Sequence, residues 1–174
     1  AQMDLVQKVA GVRQKTGLDA SSLKLELTET MIVEDAESTA AMLSKLRALG
    51  VQVQIDDFGT GYSSLGYLHT LPIDTLKIDR TFISRIGNDG SGSEIVRTIL
   101  ALAHDLGMKV VAEGVETEEQ LSNLKLMECE YGQGYLFAKP IDSQTASILL
   151  AEPLPPLTNT LPKPAPNSNA TYPA

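Results

Sequence analysis

Asp56 and Asp57 stand side by side in "VQVQIDDFGTGYSSL", a stretch that begins at Val51. Adjacent carboxylates repel each other, and taking them out of water is costly. Divalent cations offset that repulsion and turn such a pair into a ligand set. Three further charged residues lie at or near the ends of apolar runs: Glu26 in "LKLELT", Lys77 in "DTLKID" and Glu113 in "KVVAE". A purely structural role is open to each of them, as an ion pair with Lys24, Lys77 or Lys109 inside a barrel. For one carboxylate that is the simpler explanation. Four strands delivering charge to the same end favour a site. His69, His104 and the single Cys129 make no ligand-like group, which disfavours zinc.

The elements that would position these residues alternate along the chain. Residues 2–16 read as a helix and 23–28 as a strand. Asp35 can cap a helix running to Leu49, with Gly50 behind it. Strands follow at 51–56 and 74–79, then a helix at 93–106 ending before Gly107, then a strand at 109–113. Thr117 and Gln120 form a capping box that opens the next helix. A short strand near Tyr131 and a helix at 143–151 complete the order. Alternating strands and helices argue for parallel strands joined by crossover helices.

Strand parity narrows the class. Leu23, Leu25 and Leu27 share one face against Lys24, Glu26 and Thr28. Val51, Val53 and Ile55 oppose Gln52, Gln54 and Asp56; Leu76 and Ile78 oppose Lys77 and Asp79. Lys109 and Glu113 share a face with Val111. A doubly wound sheet would bury both faces. One apolar and one polar face suit a barrel, with helices outside and a polar lumen, and with its chemistry at the strand C-termini. On this reading Asp56 and Asp57 stop their strand at the barrel mouth.

The 174 residues suit one domain with a real core, and 43% of them are hydrophobic. A formal net charge of -8 argues against a broad grip on a DNA or RNA duplex. No apolar run is long enough to span a bilayer. A lone cysteine excludes an internal disulfide and fits a reducing, cytoplasmic setting. The sequence begins without Met, so a longer parent, even a membrane-anchored one, is compatible with it. From Pro153 onward lie seven of the nine prolines and almost no charge. Residues 152–174 are therefore expected to be a disordered tail after a domain at 1–151.

The loop "FGTGYSS", Phe58, Gly59, Thr60, Gly61, Tyr62, Ser63 and Ser64, lacks the Gly-Lys-Ser/Thr of a phosphate-binding Walker loop. Alone it is weak evidence. In order, however, "ELTET", "DDFGTGYSSL", "LKIDRTFI", "VVAEGVET" and "GQGYLFAKP" closely resemble the EAL-domain family of bacterial cyclic di-GMP phosphodiesterases. The resemblance covers nearly all of residues 1–150. It implies an α/β fold, a (β/α)8 TIM-type barrel, here incomplete with about five βα units. It also implies hydrolysis of cyclic di-GMP to linear pGpG with two Mg2+ or Mn2+ ions. Glu26, Asp56, Asp57 and Glu113 would hold metal, Asp56 bridging both ions, with Glu113 a general base in the alternative. Lys77 would orient the attacking water. Glu29 would hold the Asp-Asp loop, and Glu116 and Gln133 would support the site or touch water and ligand. The loop from Phe58 to Ser64 would couple ligand binding and dimerisation to metal occupancy. The partners implied are cyclic di-GMP, a second copy in a homodimer, and sensor domains in the parent protein. The Glu-Ala-Leu tripeptide that names the family, and the Asn ligand of an early strand, are not in the sequence. A binding or partner-docking module without catalysis is thus the second expectation, and the isolated chain is expected to be inactive.

Overall fold

The computed structural model describes residues 2–28, 36–59, 65–87 and 91–151. The first of two units, Ala1–Lys139, contains the sheet. Helix α1 (Gln2–Thr16) is followed by a 3-10 turn at Ala20–Ser22, opened by Asp19, whose carboxylate accepts the Ser21 N–H at 2.9 Å. Strand β1 (Lys24–Thr28), α2 (Ala36–Ala48), β2 (Gln52–Phe58) and α3 (Leu65–Leu68) come next. Then follow β3 (Thr75–Ile78), α4 (Arg80–Ile83), α5 (Ser91–Asp105), β4 (Lys109–Glu113), α6 (Glu118–Leu126) and β5 (Tyr131–Gln133). The second unit, Pro140–Ala174, contains α7 (Ser143–Ala151), whose first turn is held by Asp142 accepting the Thr145 N–H at 2.8 Å. The expected cap at Asp35 and the expected tail at 152–174 lie outside the described residues. No described helix is long and apolar enough to cross a membrane.

The five strands form one parallel sheet in the order β1-β2-β3-β4-β5. Sequence order and spatial order coincide, as stepwise right-handed crossovers produce in a (β/α) barrel wall. The parity expected from sequence is observed. Leu27, Val53, Ile55, Leu76, Ile78, Val110 and Ala112 are buried on one face. They join Leu43 and Leu46 of α2, and Val96, Leu100 and Ala103 of α5, in a single apolar cluster. Fully burying such a side chain stabilises by roughly 1.5–3 kcal/mol. The opposite face carries Glu26, Gln54, Thr75 and Lys109 in one row of register partners. Gln54, Thr75 and Lys77 on this face are buried although polar, as a barrel interior requires.

Helix ends follow the local chemistry. Behind α5 the Gly107 N–H donates to His104 O and the Met108 N–H to Ala103 O, a Schellman closure. At α6 Thr117 accepts the Gln120 N–H at 3.2 Å, and Gln120 accepts the Thr117 N–H in return at 3.1 Å. Two corrections to the sequence expectation concern the site. The strand expected to end at Asp56 continues to Phe58. Asp79, expected on the polar strand face, instead caps α4 and accepts the Thr81 N–H at 2.9 Å. An Asp directly after a strand and before a short helical turn satisfies N–H groups that would otherwise be orphaned. Burial would raise the Asp79 carboxyl, but hydrogen bonds from the Thr81 side chain and N–H and from the Arg80 N–H, with the Arg80 charge, together hold it below its usual range.

Candidate metal centre at the C-terminal rim

The adjacent carboxylates are explained by a break in register. Ile55 pairs with Leu76, but Phe58 pairs with Ile78, so Asp56 and Asp57 together face the single residue Lys77. In an unbroken strand successive side chains point to opposite faces. Here Asp57 has φ +52°, a left-handed conformation uncommon for a non-glycine residue. This bulge re-aims a side chain at the end of a strand, as bulges beside active sites do. Oxygens of Asp56, Asp57 and Glu113 consequently lie within 4.8 Å of one another.

Lys77 lies at the centre of the rim. Its Nζ is 2.8 Å from Asp56 Oδ1, 2.9 Å from Glu26 Oε1 and 2.9 Å from Glu113 Oε1. Three strands thus bring carboxylates to one ammonium. Burial is the largest single influence on Lys77 and disfavours its charge. The hydrogen bonds to Asp56, Glu113 and Glu26 together outweigh it and hold the ammonium above the usual lysine range. Lys77 is therefore a permanent cation. Among the described residues it is one cation gathered with the four carboxylates Glu26, Asp56, Asp57 and Glu113. An all-oxygen donor set of carboxylates fits hard divalent cations such as Mg2+ or Mn2+.

The other residues named from sequence are distributed around this centre. Gln133 pairs with Glu113 in register, on the same face of the sheet. Glu116 lies beyond the turn after β4, where its carboxylate meets Arg80 Nη2 at 3.2 Å. Phe58 is buried, and Gly59 follows with φ +95°. Glu29, Thr60, Gly61, Tyr62, Ser63 and Ser64 lie outside the described residues. Of the lysines weighed as lumen ion pairs, only Lys77 reaches the acidic cluster. Lys24 and Lys109 line a cavity of about 530 Å3 with Arg47, Asp74, Gln52 and Tyr131, toward the strand N-termini. His104 pairs with Glu130 at 3.2 Å, away from the rim. Sequence reasoning did not single out Arg80. The available signal was Asp79 as a helix cap, which places Arg80 at the mouth rather than on a strand.

Comparison with known proteins identifies the family and the fold. The EAL domain family matches residues 1–140. Over 137 residues the chain is 49% identical to the cyclic di-GMP phosphodiesterase NbdA of Pseudomonas aeruginosa, covering 79% of this chain and 18% of that protein. The crystal structure of the EAL domain of Mycobacterium smegmatis DcpA superposes with a TM-score of 0.80 at 47% identity, covering 84% of this chain and 66% of that one. A manganese and cyclic di-GMP complex of Klebsiella pneumoniae BlrP1 superposes with a TM-score of 0.73 at 34% identity, over 79% of this chain and 35% of that one. The chain spans less than a quarter of the length of curated relatives such as NbdA. Its five-stranded parallel sheet corresponds to part of the barrel wall of these neighbours. The chain belongs to the EAL-domain family.

Proposed function

We propose that this chain carries the acidic rim of a cyclic di-GMP phosphodiesterase centre that cleaves one phosphodiester bond to give pGpG. The observation that carries the reading is the convergence of Glu26, Asp56 and Glu113 on Lys77, with Asp57 turned in by the bulge. Two divalent cations, when bound there, would supply Lewis-acid stabilisation of charge on the attacking and leaving oxygens. Asp56, Asp57, Glu26 and Glu113 would hold them. The chain's own contribution is electrostatic and geometric. Lys77, permanently protonated, would donate a hydrogen bond to the attacking water and stabilise it as hydroxide. In the alternative in which Glu113 holds no metal, it would accept the proton that water loses, being within reach of Lys77. Gln133, its register partner, would orient water or ligand beside it. Glu29 and the segment from Thr60 to Ser64 would complete the support of the Asp pair and the ligand contacts. Residues 1–151 would form the domain part and 152–174 a tail, with homodimerisation and sensor domains belonging to the wider protein.

A second reading, a module that binds cyclic di-GMP without turnover, is favoured by one observation. The sequence holds no Glu-Ala-Leu tripeptide, and the chain spans 66% of the DcpA EAL domain. One experiment separates the two. The purified chain is incubated with cyclic di-GMP in Mn2+ and followed for pGpG, and binding is measured in Ca2+ in parallel. Turnover that Asp56→Asn removes supports hydrolysis. Binding without turnover supports the module. Full turnover in Asp56→Asn would remove the metal assignment.

A further inference from the structure

The one-turn helix α4 lies against the residues that follow β2 and β4, two of the three strands that bring carboxylates to the rim, although it follows the strand between them. On one side Gly59, just after β2, has φ +95°, and a Cβ there would lie 2.8 Å from Phe82 Cε2 and 2.9 Å from Phe82 Cζ. On the other side Gly114 follows β4 with φ +69°, and a Cβ there would collide with the Arg80 stem at Cβ, Cγ and Cδ. Both glycines are needed twice over, for a backbone that L side chains rarely adopt and for the approach of an α4 side chain. Arg80 then extends past Gly114 to Glu116, which it meets at 3.2 Å. The Glu116 N–H is in turn held by Gln120 Oε1 at 2.7 Å, inside the capping box of α6. Helix α4 itself is fixed to the end of β3 by the Asp79 cap.

We propose that α4 is a clamp that sets the spacing of the acidic rim, with Arg80 and Phe82 as positioning residues for the metal ligands. The inference rests on the metal reading of the rim given above. The Phe82 ring lies close to Gly59, two residues after Asp57, and the Arg80 stem lies against Gly114, the residue that follows Glu113. The left-handed Asp57 is a sparsely populated conformation, which persists only where its surroundings over-determine it. The close approach of Phe82 to Gly59 would supply that constraint. Neither Arg80 nor Phe82 needs to touch a ligand, because outer partners that orient metal ligands tune affinity on their own.

The test is a Mn2+ titration of the full chain by calorimetry, with urea unfolding of each variant alongside. Arg80 is largely exposed and its ion pair with Glu116 contributes little to stability, so Arg80→Ala is expected to fold as the wild type does. It is expected to bind Mn2+ about tenfold more weakly. Gly59→Ala is expected to weaken binding at least as much. Adding Phe82→Leu removes the two ring atoms the new methyl would strike, so the Gly59→Ala/Phe82→Leu double variant should regain part of the affinity. A purely structural role would move the urea midpoints and leave Mn2+ affinity unchanged, which overturns the clamp. So does a double variant that binds no better than Gly59→Ala. If the wild-type chain takes up no Mn2+, the metal reading fails and takes the clamp with it. If it binds Mn2+ and Arg80→Ala binds equally well, the clamp alone fails.

Discussion

At the N-terminal ends of the strands, two carboxylates each have their own partners. Asp74 precedes β3, accepts the Val53 N–H at 2.9 Å and pairs with Arg47 Nη2 at 3.3 Å. Glu130 precedes β5 and repeats the device two strand pairs further on, accepting the Val110 N–H at 3.1 Å and meeting His104 at 3.2 Å. At the C-terminal ends the arrangement inverts. Three carboxylates share one ammonium, and a fourth is brought alongside by a bulge. At the lower rim Asp74 and Glu130 each fasten neighbouring strands together. At the upper rim, among the described residues, carboxylates gather around one shared ammonium. Crowded charge of this kind is tolerated when it has a use, and perturbed groups in a concave site are where to look for one. The difference teaches that acidity alone marks nothing in this sheet; the gathering of carboxylates from separate strands does.

The comparison breaks most visibly at Asp56. In the full-length parent protein, Asp56→Asn is expected to lower cyclic di-GMP turnover in Mn2+ by about 10^3-fold, since a metal ligand supplies several kcal/mol of transition-state stabilisation. Its urea midpoint should stay near that of the wild type. The mirror substitution at the lower rim, Asp74→Asn, should do the reverse. It is expected to cost roughly 1.5–3 kcal/mol of stability through the lost charged hydrogen bond to Val53 N–H, with Mn2+ affinity kept. Equal effects of the two on both assays would erase the distinction between the rims.

Lys77→Met sharpens it. Removing the shared cation leaves three carboxylates facing one another, and stability is expected to drop by about 1–3 kcal/mol, discounted for the solvent that reaches Glu26. Mn2+ should restore more stability to this variant than to the wild type, because the cation then replaces the missing ammonium. A thermal melt with and without Mn2+ reads this directly. The same melt on Asp74→Asn should show no such difference.

The smallest effect concerns Cys129, just before β5. Burial pushes its thiol up to about 11, opposed in part by backbone hydrogen bonding from Tyr131 to the sulfur. In the unfolded chain the thiol loses its proton near pH 8.5. Above that pH the native state binds the extra proton, so stability falls as pH rises toward 11, by up to about 1.4 kcal/mol per unit. Unfolding measured between pH 8 and 10, where Lys77 is charged in both states, should show this slope, and Cys129→Ala should flatten it. Alkylation of the folded thiol at pH 8 should be slow for the same reason.

Much of this molecule is local and therefore legible along the chain. The period-2 alternation in "LKLELT", "VQVQID" and "KVVAE" reports which side chains meet the helices, because a pleat assigns alternate residues to opposite faces whatever the partner strand. The capping box at Thr117 and Gln120 closes over four residues. The motif order, from "ELTET" to "GQGYLFAKP", carries the family. Even so, alternation misassigned two aspartates. Asp79 continues the polar parity of β3 on paper, yet it caps α4, as an aspartate favoured at N-caps and disfavoured in strands does. Asp57 should face away from Asp56, and a bulge brings it back.

The sequence by itself determined the strands, their apolar faces, the candidate acids and the family. Only the tertiary structure decided that Lys77 serves Glu26, Asp56 and Glu113 together, that Asp57 joins them, and that Arg80 and Phe82 brace the ends of β2 and β4. The reason is the range of the forces involved. Alternation and capping are settled within a few residues. Register between strands and the approach of side chains from separate crossovers depend on contacts 20 to 60 residues apart, and those exist only once the sheet has closed around them.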